Sequence, residues 1–452
     1  MSERLLSVGL DVGTTSTQLV VSELEIQNRA SGFAVPEMVI ADRCVRYQSP
    51  VYFTPLLGKD LVDGGGIRTI VDKEYASAGL TRQAVDTGAI IITGETSRKE
   101  NAQTVLDALS DYAGEFVVAT AGPDLESALA AKGAGAVAYS ERTGKRVLHI
   151  DIGGGTSNFA LVEDGSITQT GCLNVGGRLL KLESSGRVSY ASPVLDGICS
   201  FRVGDMAQME QVAEVARTLT QALEMAAGLR EPTALLQKLT TEGASGQFSW
   251  EPGTVISFSG GVADCIETVH PWLKFGDIGP VLGQEIRKSR LCQGDYMLGA
   301  ETIRATVIGA GCHSAQLSGS TVFYQNVPLP MKNLPVVRLE KQADLPRALR
   351  QMDELEEPLA VLAMPGLDAP AYAQVAALAD TIAQRAQGRP ILIALEADMA
   401  KALGHALALR LPRDAKILCI DGLRLPPDSY LDVGASVGPA LPVVIKTLIL
   451  SH

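Results

Sequence analysis

The chain has 452 residues, 46% of them hydrophobic and 20% charged, with a formal net charge of −12 at pH 7 and a pI near 5.0. That length supports two or three domains with full cores, and an acidic balance with no Lys/Arg block argues against nucleic acid or an anionic membrane as partner. Mean hydropathy is +0.15, yet no run approaches the ~20 apolar residues of a membrane span, and seven scattered cysteines without a C-x-x-C pair point to a reducing cytoplasm rather than to a zinc or iron–sulfur site.

In chain order, the first elements are strands near 5–10, 17–24 and 37–47. The first two flank Asp11-Val-Gly13-Thr14-Thr15-Ser16, a carboxylate at a strand end followed by a hydroxyl-bearing turn, and together they predict a β-hairpin. The apolar start at Leu5, with no basic and apolar leader before it, gives no sign of export. Asp63-Gly-Gly-Gly-Ile67 opens a helix through Ala78. A buried strand Gly88–Ile92 follows, then a helix from Thr93-Gly94-Glu95-Thr96 to about Tyr112, a short strand Phe116–Ala119, and a helix with Pro123 in its first turn.

From Arg146 the pattern restarts. Leu148-His-Ile-Asp151-Ile-Gly153-Gly154-Gly155-Thr156 repeats the earlier hairpin, a third strand spans Ser166–Leu173, and Gly176-Gly177 is expected to turn into a helix. Ser184–Asp205 reads as an irregular insertion, Met206–Ala227 as one amphipathic helix, and Thr254–Ser259 as a strand broken by Gly260-Gly261 before a helix Val262–Val269. Glu301–Leu317 reads as a helix whose Gly309-Ala310-Gly311 permits a close helix crossing. After a linker marked by Pro328, Pro330 and Pro335 come a strand Leu359–Ala363, a helix Tyr372–Gln387, a strand Pro390–Leu395, a helix Met399–Leu411, a strand Ile417–Ile420 and a final strand Pro442–Leu450. Asp432-Val-Gly-Ala-Ser436 echoes the hairpin motif, but reads as a chance turn.

A lone D-x-G-x-x-[ST] turn is commonplace. Two copies with matching flanks imply an internal duplication, with one phosphate loop in each of two similar lobes. Glycine-rich turns offer backbone N–H groups to phosphate oxygens, and the neighbouring hydroxyls add donors. A carboxylate beside them repels phosphate, so Asp11 and Asp151 are read as holding a hydrated Mg²⁺ or orienting an attacking water. Ser259, Gly260 and Gly261 lie where a base or ribose could approach the backbone, or form a plain tight turn. Gly176 and Gly177 are a further candidate contact.

Five segments in this order, Asp11–Thr17, Thr93–Asn101, Asp151–Asn158, Phe258–Ala263 and Arg304–Gly311, resemble the actin, hexokinase and Hsp70 nucleotide-binding superfamily. The resemblance implies an α/β fold of two ribonuclease-H-like (actin-like ATPase) lobes, expected at 1–145 and 146–318, with a small C-terminal α/β domain at 319–452. It implies ATP or ADP with Mg²⁺ as cofactors, and Glu95 as a candidate for reaching the attacking water, although a helix-capping role suits Glu95 as well. Gln18 stands where many kinases of this fold place a basic residue, and no acceptor base is marked, which leaves a small-molecule kinase and an actin-like assembly ATPase as alternatives.

More specifically, Asp86–Ala102, Ser259–Asp264, Arg304–Gly311, Leu392–Gly404 and Tyr430–Gly434 are similar to the reactivating factors of ethanolamine ammonia-lyase, along essentially the whole chain. That resemblance implies an ATP-dependent chaperone that binds the adenosylcobalamin holoenzyme and promotes exchange of damaged for intact cofactor, without being an adenosyltransferase. With no D-x-H-x-x-G run, cobalamin contact is expected only through the lyase. The tail is either the lyase-contacting module or a brace on the second lobe. A homodimer and an association with the ethanolamine-utilisation microcompartment are left open, and no nucleic acid or membrane partner is expected.

Overall fold

The computed structural model describes residues 3–13, 16–28, 38–57, 61–92, 117–120, 123–313, 315–317, 321–339, 341, 344–354, 359–367, 370–386, 388–425, 429–434 and 441–447. The helix expected from Thr93 to Tyr112, with Glu95, and the loop residues Thr14 and Thr15 lie outside them.

The first sheet contains β1 (Glu3–Val12), β2 (Ser16–Asn28), β3 (Met38–Gln48), β4 (Tyr52–Phe53), β5 (Thr87–Ile92) and β6 (Val117–Thr120). Its order is β3-β2-β1-β5-β6, with β4 paired to β2. The first three strands run antiparallel, whereas β5 and β6 run parallel to β1. The second sheet contains β7 (Val147–Ile152), β8 (Ser157–Glu163) and β9 (Ser166–Leu173), followed outside it by the small ribbon β10 (Leu180–Leu182) and β11 (Val188–Ala191), and then β12 (Val255–Ser259) and β13 (Tyr296–Leu298). Its order, β9-β8-β7-β12-β13, repeats third-second-first-fourth-fifth with the same directions. This is the ribonuclease-H-like topology twice over, the actin-like ATPase fold.

Local chemistry explains the elements. Asp63 caps the helix Gly64–Ser77 by accepting the Gly66 N–H at 3.0 Å, and Gly79 ends it with φ +68°. Strands β7 and β8 are buried over nearly all their length between helices and loops, as their unbroken apolar runs require.

Two helices tie the sheets together. Helix Pro123–Gly133, which leaves the first sheet, packs on β7, β8 and β9, while helix Ala305–His313, which leaves the second, packs on β1, β2 and β5. They cross at glycines. A Cβ on Gly309 would lie 2.0 Å from the Leu129 carbonyl oxygen, and one on Gly133 would lie 1.8 Å from that of Ala305. The close crossing expected at Gly309 is therefore present, with Gly133 as the reciprocal small residue.

A third sheet holds β14 (Ala315–Leu317), β15 (Val322–Gln325), β16 (Met331–Arg338), β17 (Val361–Met364), β18 (Ile391–Leu395), β19 (Ile417–Ile420), β20 (Ser429–Val433) and β21 (Pro442–Thr447). Its order is β14-β21-β20-β16-β17-β18-β19-β15. Strands β16 to β19 are parallel and connected by helices Leu345–Glu354, Tyr372–Ala386 and Ala400–Ala408.

Several expectations are corrected. The proline-marked linker contains β15 and β16. Pro335 is tolerated because β16 pairs with β17 only from Val336 onward, so at Pro335 the ladder has one neighbour, next to an irregularity on the β20 side. The turn at Gly176-Gly177 leads into β10 rather than a helix, because Leu180-Lys-Leu182 alternates buried and half-buried at the strand period. The helix expected to Leu317 ends at His313, and Ala315–Leu317 is β14, paired with β21. The helix after Gly261 is confined to Asp264–Glu267, and the insertion contains β11. Asp432 lies within a paired strand, opposite Val444: β20 and β21 are antiparallel neighbours, with the Gly434 N–H on the Pro442 carbonyl at 2.8 Å.

Candidate functional site

Both hairpins read as phosphate loops form, in the same register. Asp11 lies opposite Gln18 and Asp151 opposite Asn158. In each turn the first glycine donates its N–H to the carbonyl three residues on, Gly13 to Ser16 at 2.8 Å and Gly153 to Thr156 at 2.9 Å. The following hydroxyl residues, Thr17 and Ser157, are fully buried. Both turn inward: Thr17 meets the Thr54 hydroxyl at 3.1 Å and Ser157 donates to the Val175 carbonyl at 2.7 Å. Among the described loop residues, the hydroxyls that stay near the surface are those of Ser16 and Thr156, each half-buried.

Each loop is held from behind. The Thr54 hydroxyl donates to the Gly13 carbonyl at 2.7 Å. In the second loop Gly177 N–H reaches the Gly153 carbonyl at 3.0 Å and Arg178 N–H the Gly154 carbonyl at 2.6 Å. Gly176 must be glycine here, since a Cβ would meet the Gly154 carbonyl oxygen at 2.4 Å. The described contacts of Gly176 and Gly177 are thus with the loop backbone. Gly155 is exposed with open space beside it.

Ser259, Gly260 and Gly261 take different tasks. Gly260 has φ +86°, and a Cβ on it would lie 2.3 Å from the Ile152 carbonyl oxygen, so its small size lets β12 turn against the second loop. Gly261 is exposed, and a Cβ on it would find nothing nearer than the Ile303 side chain at 3.8 Å, so it alone of the pair leaves the backbone open to a flat ligand. Ser259 is fully buried and donates its hydroxyl to Asp151 Oδ1.

Asp11 and Asp151 are nearly buried, 8% and 6% exposed. Burial pushes the Asp151 carboxyl up to about 6, with the Ser259 hydroxyl pulling it down. Beside it, His149 is fully buried and burial holds its imidazole down at about 3, so it is neutral.

Sequence reasoning missed the pairing of two amides with the carboxylates. Gln18 and Asn158, 3% and 2% exposed, sit directly across the ladder from Asp11 and Asp151 and so share their faces of the sheets. Gln18 Oε1 and Asn158 Oδ1 are both buried without a hydrogen-bond partner. Their signal was the shared position, seven residues after each Asp. Gln18 Nε2 also donates to the Ile303 carbonyl at 3.2 Å. The adjacent Thr302 carbonyl accepts from Gly260 N–H at 3.0 Å, and Arg304 donates to the Ser49 carbonyl at 3.1 Å. Residues 302–304 therefore strap the first hairpin to the glycine break of the second sheet.

Among the described residues no three of His, Cys, Asp and Glu converge as a metal cage, and no helix is long and apolar enough to cross a membrane.

Comparisons with known proteins bear on the same chain. A family model described as "Ethanolamine utilisation protein EutA" matches residues 3–451. A protein of Salmonella typhimurium named "Ethanolamine ammonia-lyase reactivase EutA" is 39% identical, with 99% of each chain covered, and one of the same name from Escherichia coli is also 39% identical over 99% of each. Among solved structures, the Aquifex aeolicus PPX-GPPA enzyme matches 68% of this chain and 99% of its own at 13% identity and TM-score 0.42. Ethanolamine utilization protein EutJ from Carboxydothermus hydrogenoformans matches 68% and 88% at 17% identity and TM-score 0.34. With a family match that spans nearly every residue and full-length relatives at 39% identity, the chain belongs to the EutA family of ethanolamine utilisation proteins.

Proposed function

We propose that this protein is an ATP-dependent reactivating chaperone for adenosylcobalamin-dependent ethanolamine ammonia-lyase, which loosens the lyase so that damaged cobalamin leaves and intact adenosylcobalamin enters. The observation that carries the reading is the pair of register-matched Asp-x-Gly hairpins, in a chain whose full-length relatives are named reactivases of that enzyme.

Mg²⁺ suits the residues at hand. The donors beside the loops are oxygens only: two carboxylates and two buried amide oxygens that lack partners. Magnesium keeps most of its waters and takes one or two carboxylates plus nucleotide phosphates, so it needs no larger protein cage. Asp11 and Asp151 would hold its waters, and the ion would supply charge neutralisation at the phosphates. Gln18 Oε1 and Asn158 Oδ1, buried without partners, would be free to accept hydrogen bonds from those waters. Gly13 and Gly153 close the turns with their own N–H groups, so the backbone N–H groups of Thr14, Thr15, Gly154 and Gly155, with the Ser16 and Thr156 hydroxyls, would grip phosphate oxygens. Gly261 admits the adenosine, and Glu95 is a candidate for orienting the attacking water.

Nucleotide turnover would act on the lyase through closure of the lobes, with the strap at 302–304 in the path between them. To move the complex from mostly bound to mostly free, the nucleotide states must differ in lyase affinity by about 5 kcal/mol. The tail from 319 to 452 would contact the lyase, and the protein would act in the cytoplasm in association with the ethanolamine-utilisation microcompartment.

The test is recovery of ammonia release by cyanocobalamin-blocked ethanolamine ammonia-lyase, supplied with adenosylcobalamin, Mg²⁺ and this protein. Recovery is expected only with ATP, and Asp11→Ala and Asp151→Ala are expected to abolish both recovery and ATP turnover. Full reactivation by either variant would overturn the assignment of these carboxylates. Phosphorylation of a small acceptor or nucleotide-dependent filaments, with no recovery, would overturn the chaperone reading.

A further inference from the structure

A buried chain of hydrogen bonds ends on Asp151. His149 lies two residues before it on the same face of β7, and Ser257 and Ser259 stand opposite the two in the parallel neighbour β12. His149 Nδ1 is 3.0 Å from the Ser257 hydroxyl, His149 Nε2 is 2.9 Å from the Ser259 hydroxyl, and Ser259 donates to Asp151 Oδ1. His149, Ser257 and Ser259 have no exposed surface.

The proton count fixes the direction of every link. A carboxylate can only accept, so the single Ser259 proton goes to Asp151. Ser259 must then accept from Nε2, which therefore carries the imidazole proton. A neutral imidazole with a proton on Nε2 has a bare Nδ1, which accepts from the Ser257 hydroxyl. All three bonds point toward the carboxylate.

The first sheet is an internal control for what the fold itself requires. The positions equivalent to His149, Ser257 and Ser259 are Gly9, Ala89 and Ile91, in the same parallel register beside Asp11. The same topology forms there with no polar group at any of the three, and Ala89 and Ile91 pack in an apolar cluster. Three buried polar side chains are costly relative to such a core unless all are satisfied. Here all are satisfied, and they converge on one of the two carboxylates only.

We propose that His149, held by Ser257 and acting through Ser259, is a positioning residue that fixes Asp151 in the orientation needed for ATP hydrolysis. Oδ1 is committed to Ser259, and among the described residues Oδ2 receives no hydrogen bond, so the relay decides which oxygen is left for a ligand. The inference rests on the ATPase reading above for its consequence, but not for its geometry.

Two measurements test it on the full-length chain. In a two-bond proton–nitrogen spectrum of histidine-labelled protein, one of the five histidines, absent from His149→Gln, is expected to show a protonated Nε2 and a bare Nδ1. Ser257→Ala is expected to keep the fold and, because Ser259 still requires the Nε2 proton, to keep that tautomer while shifting the signal of the bare Nδ1, which loses its donor. In steady-state ATP turnover, His149→Gln and Ser257→Ala are each expected to lower kcat by about tenfold, the lower end for lost outer-shell support, with KM within twofold. A wild-type His149 protonated on Nδ1 overturns the relay. So does an unchanged kcat in Ser257→Ala, the variant that decides if His149→Gln fails to fold. A wild-type chain that turns over no ATP overturns the function proposed above instead, and the tautomer then decides the relay alone.

Discussion

Gly309→Ala offers a test in which two physical effects have opposite signs. Gly309 lies inside the helix Ala305–His313, where alanine is intrinsically better than glycine by about 1 kcal/mol. A surface helix would therefore gain from the change, by about 2 °C in Tm. Here the added Cβ lands 2.0 Å from the Leu129 carbonyl oxygen and 2.6 Å from its carbon, both backbone atoms that cannot rotate away. Relief requires the two helices to separate by more than 1 Å across a fully buried crossing that contains Leu129 and Ala310. Overpacking of that kind costs up to about 3 kcal/mol, for a net loss of about 2 kcal/mol and a Tm lower by about 4 °C. Gly133→Ala, which meets the Ala305 carbonyl at 1.8 Å and Gly309 N at 2.7 Å, should cost a similar amount. The double variant should cost clearly less than the sum, because the separation forced by one methyl already admits the other. Thermal melts followed by circular dichroism measure all three, with Gly294→Ala, which meets nothing within 4 Å, as the control. A rise in Tm for Gly309→Ala, or strict additivity of the pair, would refute the close crossing.

Gly260→Ala combines a left-handed φ with contact at the Ile152 backbone and should lose about 3 kcal/mol in urea unfolding. Gly261→Ala should change stability by less than about 0.5 kcal/mol yet weaken ATP binding measured by calorimetry, and equal affinity would remove Gly261 from the adenosine site. The acid limb of stability should depend on Asp151. Burial lowers the His149 pKa to about 3, so protonation of the unfolded chain removes stability as pH falls below 6.5. Burial raises the Asp151 pKa to about 6, so its penalty is relieved as pH falls from 6 toward 3.8. The two slopes oppose each other, and Asp151→Asn removes the relief. The variant should therefore lose about 1.5 kcal/mol more than wild type between pH 6 and 4.5 in urea unfolding, the limiting slope being about 1.4 kcal/mol per pH unit, and parallel pH profiles would contradict the burial argument.

The duplicated hairpins were legible because the motif is local: a carboxylate, a glycine turn and two flanking apolar runs leave few alternatives to a hairpin. The third strand Ser166–Leu173 and the strand Ile417–Ile420 were legible to the residue for the same reason. The β16 strand was not, because Pro335 signals a break and only the partner strands reveal that the ladder is one-sided there. Gly176 and Gly260 read as ligand-facing glycines, since a sequence shows a missing Cβ but not what fills the space. In both cases the filler is the backbone of the second loop. His149 read as one more residue of an apolar strand, because its partners lie more than 100 positions away.

Gln18 brings stability and binding into conflict, and the conflict can be measured. Its Oε1 is buried without a partner, which costs about 1–3 kcal/mol, while the bond from Nε2 to the Ile303 carbonyl returns only about 1 kcal/mol. Removing both groups with Gln18→Leu, of similar volume, should therefore leave the nucleotide-free chain as stable as wild type or more stable by about 1 kcal/mol. If Oε1 is kept to accept from a magnesium-bound water, the same variant should lose most of the stabilisation that Mg-ATP confers on wild type. That loss is read as a smaller Tm increase at equal ligand concentration, since the increase follows the logarithm of ligand over Kd. A stable variant that binds Mg-ATP as wild type does would make the amide an uncompensated cost with no ligand role. A destabilised variant would show instead that the strap at 302–304 depends on Gln18 for its hold on the first hairpin. The expected outcome, higher stability with weaker binding, is the pattern of a polar group retained for function against the preference of the core.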